Sequence, residues 1–204
     1  MIEETLRTEF EALKNDFEII RQQIESDVVR TELYKGEFYE LTPYSYQRHG
    51  FRQGKPVKRP DTVKNTKNLC IYGFNNQNQI VEVKVGCSIE NQFYHTFLYY
   101  TDNLVKSILY DNGKHLMNVC HYFFEGGKLK RSQLCGRYGC REENYIYKEN
   151  ALTHIEVKQY DIEGNSGNDL IHIFQYQDDG ALESITKSFP NGYSEIIYKT
   201  KRSC

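Results

Sequence analysis

The sequence predicts a mainly β fold of the α+β class: a long N-terminal helix followed by a twisted antiparallel sheet of repeated β-hairpins. Three observations predict it. Apolar residues near the N-terminus fall at 4-3-4-3-4 spacing. An aromatic pair with one residue between its members recurs five times, at Tyr72/Phe74, Phe97/Tyr99, Tyr122/Phe124, Tyr145/Tyr147 and Phe174/Tyr176. Each pair is followed after five or six residues by Ile80, Leu104, Leu129, Leu152 or Leu182, with turn formers between.

The helix is expected over residues 2–33, within a first unit of residues 1–35. Leu6, Phe10, Leu13, Phe17, Ile20 and Ile24 make one stripe, and Val28 continues it. That spacing keeps them on one helical face. It also fits a heptad over about three repeats. Phe at two successive d-like positions packs poorly in a two-stranded seam, and Glu11, Glu18 and Glu25 have no basic partners at the other flank. The helix is therefore expected to lie across the sheet and cover one apolar face.

Residues 36–67 read as a basic loop with a degenerate first hairpin. The stretch "QRHGFRQGKPVKRPDTVKNTKN" holds Arg48, Arg52, Lys55, Lys58, Arg59, Lys64 and Lys67, opposed only by Asp61. Its Pro and Gly content marks a loop. The plain reading of the charges is a solvated segment; contact with phosphate or nucleic acid is the alternative. Tyr44, Tyr46 and Phe51 in "TPYSYQRHGF" look like a worn copy of the aromatic repeat.

Residues 68–204 carry the repeats. Residues i and i+2 share one face of a strand. The residues between aromatic and leucine (Asn-Asn, Asp-Asn, Gly-Gly, Glu-Asn, Asp-Asp-Gly) tolerate positive φ and reverse the chain. The leucine then opens the returning strand. A recurring unit of this length means stacked supersecondary units. The pairs are expected to form an aromatic ladder along one sheet face, as core. His95 and His172 extend it, while His121 and His154 face the other way. Ile196 and Tyr198 begin a weaker sixth copy. The alternative is that the aromatics form an exposed binding face.

Composition narrows the function classes. Only 39% of the residues are hydrophobic, yet the chain has 17 Tyr and 11 Phe, so the core is aromatic. The net charge of −2 points to neither nucleic acid nor membrane. No apolar run approaches the roughly 20 residues that span a bilayer. The N-terminus is acidic and amphipathic, unlike a signal peptide, which leads to the expectation of a cytoplasmic protein. Six irregularly placed Cys are expected as reduced thiols. Cys135 and Cys140 flank a glycine-containing turn, with Cys120 and His121 one hairpin earlier. Zinc and a disulfide are the alternatives there. Adjacent Cys120 and His121 point to opposite faces of a strand, a poor arrangement for a tetrahedral metal, and no metal or cofactor is expected. Phosphate-loop, dinucleotide, nucleophile-elbow and zinc-protease motifs are absent, and no enzyme activity is expected.

Acidic residues gather in the turns: Asp102, Asp111, Glu125, Asp161, Glu163, Asp178 and Asp179. Turn chemistry accounts for them simply. Their functional reading is an acidic rim that contacts a basic partner and speeds its capture.

Over residues 68–200 the pattern resembles two known repeat classes. "YQDDGALESI" is similar to the YD repeat, Tyr-x-x-x-Gly-x-Leu, of Rhs-type proteins. "HYFFEGGKLKRSQLCGRYG" resembles the variant MORN repeat of YwqK-family antitoxins, where an aromatic pair precedes Gly-x-Leu. The match is clean at Gly127-Lys128-Leu129 and Gly180-Ala181-Leu182, while Gly is missing before Ile80, Leu104 and Leu152. The resemblance implies a cytoplasmic immunity protein that occludes the active site of a cognate toxin, as a monomer or weak dimer. A self-associating repeat scaffold, and a small-ligand binder or enzyme using the concave face of the sheet, are the other readings.

Overall fold

The computed structural model describes residues 4–59, 63, 65–167 and 169–200. Among these residues thirteen antiparallel strands form one open sheet, with β1 (Arg30–Lys35) and β2 (Lys55–Pro56) at one side of it. The strands from β3 (Leu69–Phe74) to β13 (Ser194–Lys199) pair in chain order, each with the next. No helix among the described residues is long and apolar enough to cross a membrane.

The recurrent spacing has a direct geometric origin. In four of the five units the second aromatic lies directly across from the aliphatic that follows it. Phe74 opposes Ile80, Phe124 opposes Leu129, Tyr147 opposes Leu152, and Tyr176 opposes Leu182. In each of these hairpins the register then shifts by one residue, leaving Val81, Lys130, Thr153 or Glu183 as a bulge. A bulge sharpens the local twist and frees a backbone group from the ladder. A neighbouring hydroxyl takes up several of the freed carbonyls. Tyr100 donates to Ile80 O at 2.8 Å, Tyr176 to Leu152 O at 2.8 Å, and Thr200 to Leu182 O at 2.6 Å.

The unit of β5 (Phe93–Tyr100) and β6 (Leu104–Tyr110) pairs without that shift, and Tyr100 opposes Val105. Its aromatic pair therefore breaks the expected ladder. Following the register, Phe97 and Tyr99 face away from the other four pairs, and Leu98 and Tyr100 take their place. His95 goes with Phe97, so His95 and His172 stand on opposite faces rather than along one ladder. The aromatics are core as expected: Tyr72, Phe74, Phe97, Tyr145 and Phe174 are buried.

The expected helix of residues 2–33 is instead two short helices and a strand. α1 (Glu4–Ala12) runs into a 3-10 turn (Leu13–Asn15), and α2 (Phe17–Asp27) follows. At the break the Leu13 carbonyl accepts both the Asp16 amide at 3.2 Å and the Tyr110 hydroxyl at 2.7 Å. The kink lets the stripe follow a curved surface, which one straight helix of about 48 Å could not do. Beyond Asp27 the β-branched Val28 and Val29 turn extended, and the Val29 amide donates to Phe74 O. A Cβ on Gly73 would meet Val28 Cγ2 at 2.9 Å, so glycine makes room for that crossing. Residues Arg30–Lys35 then form β1 along β3, a strand that the continuing apolar stripe hid in the sequence. The stripe does cover the sheet: Leu6, Phe10, Phe17, Ile20 and Ile24 are buried against Phe97, Ile108, Tyr110, Val119 and Cys135.

Residues 36–54 are not a degenerate hairpin. They leave β1, cross the opposite sheet face and return to β2 (Lys55–Pro56). Tyr44 adopts φ 58° and starts α3 (Ser45–His49), which Gly50 ends at φ 70°. The neck is closed by the Gly54 amide donating to Glu37 O at 2.5 Å, and a Cβ on Gly54 would lie 2.0 Å from Gly36 O. Phe38 stacks on Tyr34 and meets Tyr72 edge-on, while Tyr44 packs against Phe174. Tyr46 of α3 lines a cleft with Cys70 of β3, yet α3 also contacts β13. Those two strands are ten spacings apart, roughly 48 Å in a flat sheet. One helix of five residues spans only about 7.5 Å. The sheet therefore curls around this segment, which lies over its concave face and leaves a cleft of about 220 Å³ between Tyr39 and Leu41 on one side and Tyr72, Leu98 and Tyr122 on the other.

Replacing Tyr176 by Phe should leave the Leu152 carbonyl without its donor. A loss of about 1–2 kcal/mol in urea-unfolding stability is expected, with the far-UV spectrum unchanged.

Candidate functional site

The inner, concave side holds a buried polar cluster. Arg48, from the basic run expected to be solvated, is 7% exposed. Its guanidinium donates twice to Glu143 of β9 (Gly139–Lys148), to Oε1 at 2.7 Å and Oε2 at 3.1 Å. Its Nε donates to His172 Nδ1 of β11 (Leu170–Tyr176) at 3.0 Å, which requires a neutral imidazole with its proton on Nε2. The Tyr145 hydroxyl donates to Glu143 Oε2. Burial alone would raise the Glu143 carboxyl; the charges of Arg48 and Arg141 outweigh it and hold the group at about 2. Burial, then the Arg48 charge, push His172 down to about 3. With Arg48 and Glu143 side chains 1% and 8% exposed, the cluster is shut to ligands and fastens α3 to the sheet.

The outer, convex side differs along its width. α1 rests on β7 (Leu116–Glu125) and β8 (Lys128–Gly136), and α2 on β4 (Ile80–Gly86) and β5. Glu9 anchors α1, binding His121 Nε2 at 2.7 Å and Lys106 Nζ at 2.8 Å. The hydrogen bond from His121 holds the Glu9 carboxyl at about 2. Beyond these strands, among the described residues, part of the same face stays exposed at Ile146, Ile171, Ile173 and Ile196.

On that part the register lines up one row across five strands. Ile146 opposes His154 of β10 (Ala151–Tyr160), His154 opposes Ile173, Ile173 opposes Thr186 of β12 (Leu182–Ser188), and Thr186 opposes Ile196. Four spacings make it about 19 Å long. Ile146 is 39% exposed, Ile173 41% and Ile196 61%; Ile171, on the same face, is 40% exposed. Clustered exposed aliphatics of this kind mark interaction surfaces. The sequence signal was "LIHIFQY" of β11, apolar on both faces, which is the pattern of a strand covered on both sides.

The seven acidic candidates do not form one rim. Successive turns of an antiparallel sheet fall at alternate ends. Asp102, Glu125, Asp178 and Asp179 lie at one end; Asp111, Asp161 and Glu163 lie at the other. Asp178 and Asp179 bound the isoleucine strands at one end, Asp161 and Glu163 at the other. Asp102, Asp111 and Glu125 flank strands β5–β8 instead. Asp111 Oδ1 accepts the amides of Gly113 and His115, both at 2.9 Å. Asp179 Oδ1 accepts that of Ala181 at 2.9 Å. Asp161 accepts the amides of Glu163 and Asn165 and the Asn165 side chain, which together hold its carboxyl below the usual range. Asp102, Glu125, Glu163 and Asp178 are exposed.

Among the described residues, no three His, Cys, Asp or Glu side chains stand where they could hold a metal ion. Cys135 and Cys140 face each other, but His121 has turned to Glu9. Comparison with protein-family models, curated proteins and solved structures finds no match to this chain.

Two outcomes follow from the buried cluster. Glu143→Gln leaves Arg48 buried without its counter-charge and should cost about 3–5 kcal/mol. The pair Arg48→Met/Glu143→Leu should recover much of that loss in the same urea titration. The second outcome concerns pH. His172 and Glu143 both have folded pKa values below their unfolded ones, 6.5 and 4.5, so the unfolded chain binds more protons and stability is lost as pH is lowered. The loss should begin below about pH 6.5 through His172, continue to about 3, and be extended by Glu143 from about 4.5 to 2. In His172→Gln the upper part of that decline should vanish from a urea-midpoint profile.

Proposed function

We propose that this protein is an immunity protein: a non-catalytic binder that captures one cognate protein toxin and covers its active site. The observation that carries the reading is the exposed isoleucine row with carboxylates at both ends of its strands. An apolar centre with a charged border is the anatomy of a protein interface. The acidic border points to a toxin with a basic surface, as an enzyme acting on nucleic acid would have. In this reading Ile146, Ile171, Ile173 and Ile196 make the dry centre. Asp178, Asp179, Asp161 and Glu163 steer the encounter. The likeness of its repeats to those of YwqK-family antitoxins supports the same conclusion. The curled sheet, pinned inside by α3, is a stiff platform, so binding orders little new structure.

One observation favours a self-associating scaffold as the second reading. β13 is an edge strand of the sheet, and an open edge is a template for pairing with another chain. Native mass over a concentration series separates the two readings.

The test uses Ile173→Lys/Ile196→Lys. Both residues are exposed, so stability should stay within about 0.5 kcal/mol of wild type. Wild-type protein should capture one partner at one-to-one stoichiometry. That partner should be toxic when expressed alone and neutralised by co-expression of wild type but not of the variant. Asp178→Lys/Glu163→Lys should slow association at low salt, whereas Asp102→Lys should not. Failure of the wild type to neutralise any partner it captures overturns the reading.

A further inference from the structure

A second site lies on the convex face, away from the isoleucine row. A cleft of about 430 Å³ opens between α1 and the turns that join β6 to β7 and β8 to β9. Arg7, Phe10, Lys14 and Arg137 are on its walls, and Cys135 and Cys140 are in its lining. The two cysteines are cross-strand partners in the β8–β9 hairpin, separated by the turn Gly136–Gly139. Their sulfurs are 2.8 Å apart. Directly opposed residues of an antiparallel pair have Cα atoms about 4.5–5.5 Å apart, within the roughly 4.4–6.8 Å that a disulfide spans. The Arg7 guanidinium stands beside one of the two, Nη2 lying 3.9 Å from Cys140 Sγ. A guanidinium at that position is a charged donor to negative charge that develops on the sulfur or on the departing oxygen. Cys70, Cys87 and Cys120 lie on other parts of the sheet and its loops.

We propose that Cys135 and Cys140 are a dithiol redox site that closes to a disulfide when hydrogen peroxide enters the cleft. The Cys140 thiol gives its proton to water, and the thiolate attacks one peroxide oxygen. The O–O bond breaks, leaving a sulfenic acid on Cys140; the departing hydroxide takes a proton and becomes water. Cys135 then attacks the Cys140 sulfur. The S–OH bond breaks, the sulfur–sulfur bond forms, and the released hydroxide takes up the Cys135 proton. Two thiols and one peroxide thus give one disulfide and two waters. Cys140, the sulfur beside Arg7, takes the peroxide, and its cross-strand partner Cys135 is left to resolve; burial, and the neighbouring Cys140, push the Cys135 thiol up to about 12. Peroxide fits the site because both sulfurs are buried and a small oxidant reaches them through the cleft.

The experiment treats the full-length protein with hydrogen peroxide and follows intact mass, then maps the peptides. The expected result is a loss of about two mass units, a Cys135–Cys140 cross-linked peptide, and full reversal by dithiothreitol, since a disulfide differs from two thiols by two hydrogens. Cys135→Ser should instead add one oxygen and label at Cys140 with dimedone. Arg7→Met, which alters neither sulfur, should slow closure several-fold. Unchanged mass, stepwise addition of oxygens at both sulfurs without a cross-link, or a cross-link between other cysteines would each overturn the proposal. None of these readouts depends on a toxin partner, so the site stands or falls apart from the immunity reading.

Discussion

The two hydrogen bonds from Arg48 to Glu143 hold the inside of this molecule together. They join α3, on a segment that leaves the first strand, to the ninth strand, and His172, Tyr145 and Arg141 are further partners of the two ions. A buried pair of this kind adds little net stability over an apolar filling, but it fixes one arrangement, because every other position leaves a charge without its partner. The curl of the sheet, the seating of Tyr44 on Phe174 and the covering of the concave face all presuppose that Arg48 has found Glu143.

Around that pin the sheet is built by repetition. In four of the five units an aromatic faces an aliphatic across the hairpin and one residue bulges, and in three of them a hydroxyl from nearby takes the released carbonyl. These parts depend on one another. The bulge turns the strand so that the next ring reaches inward, and the hydroxyl removes the cost of an unpaired backbone acceptor. The unit at β5 and β6 departs from this pattern: it has no bulge, and the register of β5 on β4 points Phe97 and Tyr99 outward, where they become part of the floor under α1 and α2.

Much of this was legible because it is local. Ring spacing, turn residues and the N-terminal stripe report on neighbours a few positions away, and the hairpins and the helical cover follow from them. What stayed hidden depends on distant partners. Nothing adjacent to Arg48 announces a carboxylate 95 residues on. The strand at Arg30–Lys35 was masked by a helical stripe that ran into it, and its pairing with β3 decides the matter. The face taken by Phe97 depends on the register of β5 against β4, which spacing alone does not display. The acidic residues stand in or beside turns, with Glu125 closing β7, and their division between two ends follows from strand parity. The isoleucine row was visible in part, in the two-faced apolar pattern of β11, and became a row only through the register of four strand pairs.

The chain-order pairing of β3 to β13 has a further consequence, for the sequence of events in folding. Hairpins of this kind close over short loops, and each new strand can add to the edge left by the last as it becomes available. The N-terminal segments cannot behave that way. Arg7 meets Ile162 across 155 residues, and Arg48 meets His172 across 124. α2 packs on β4 and β5, and α1 on β7 and β8, so each is covered once its own strands have formed. The α3 segment waits longer, because Arg48 needs Glu143 of β9 and His172 of β11. The apolar cover is thus laid down in steps, and the last of them closes the sheet on its inner segment.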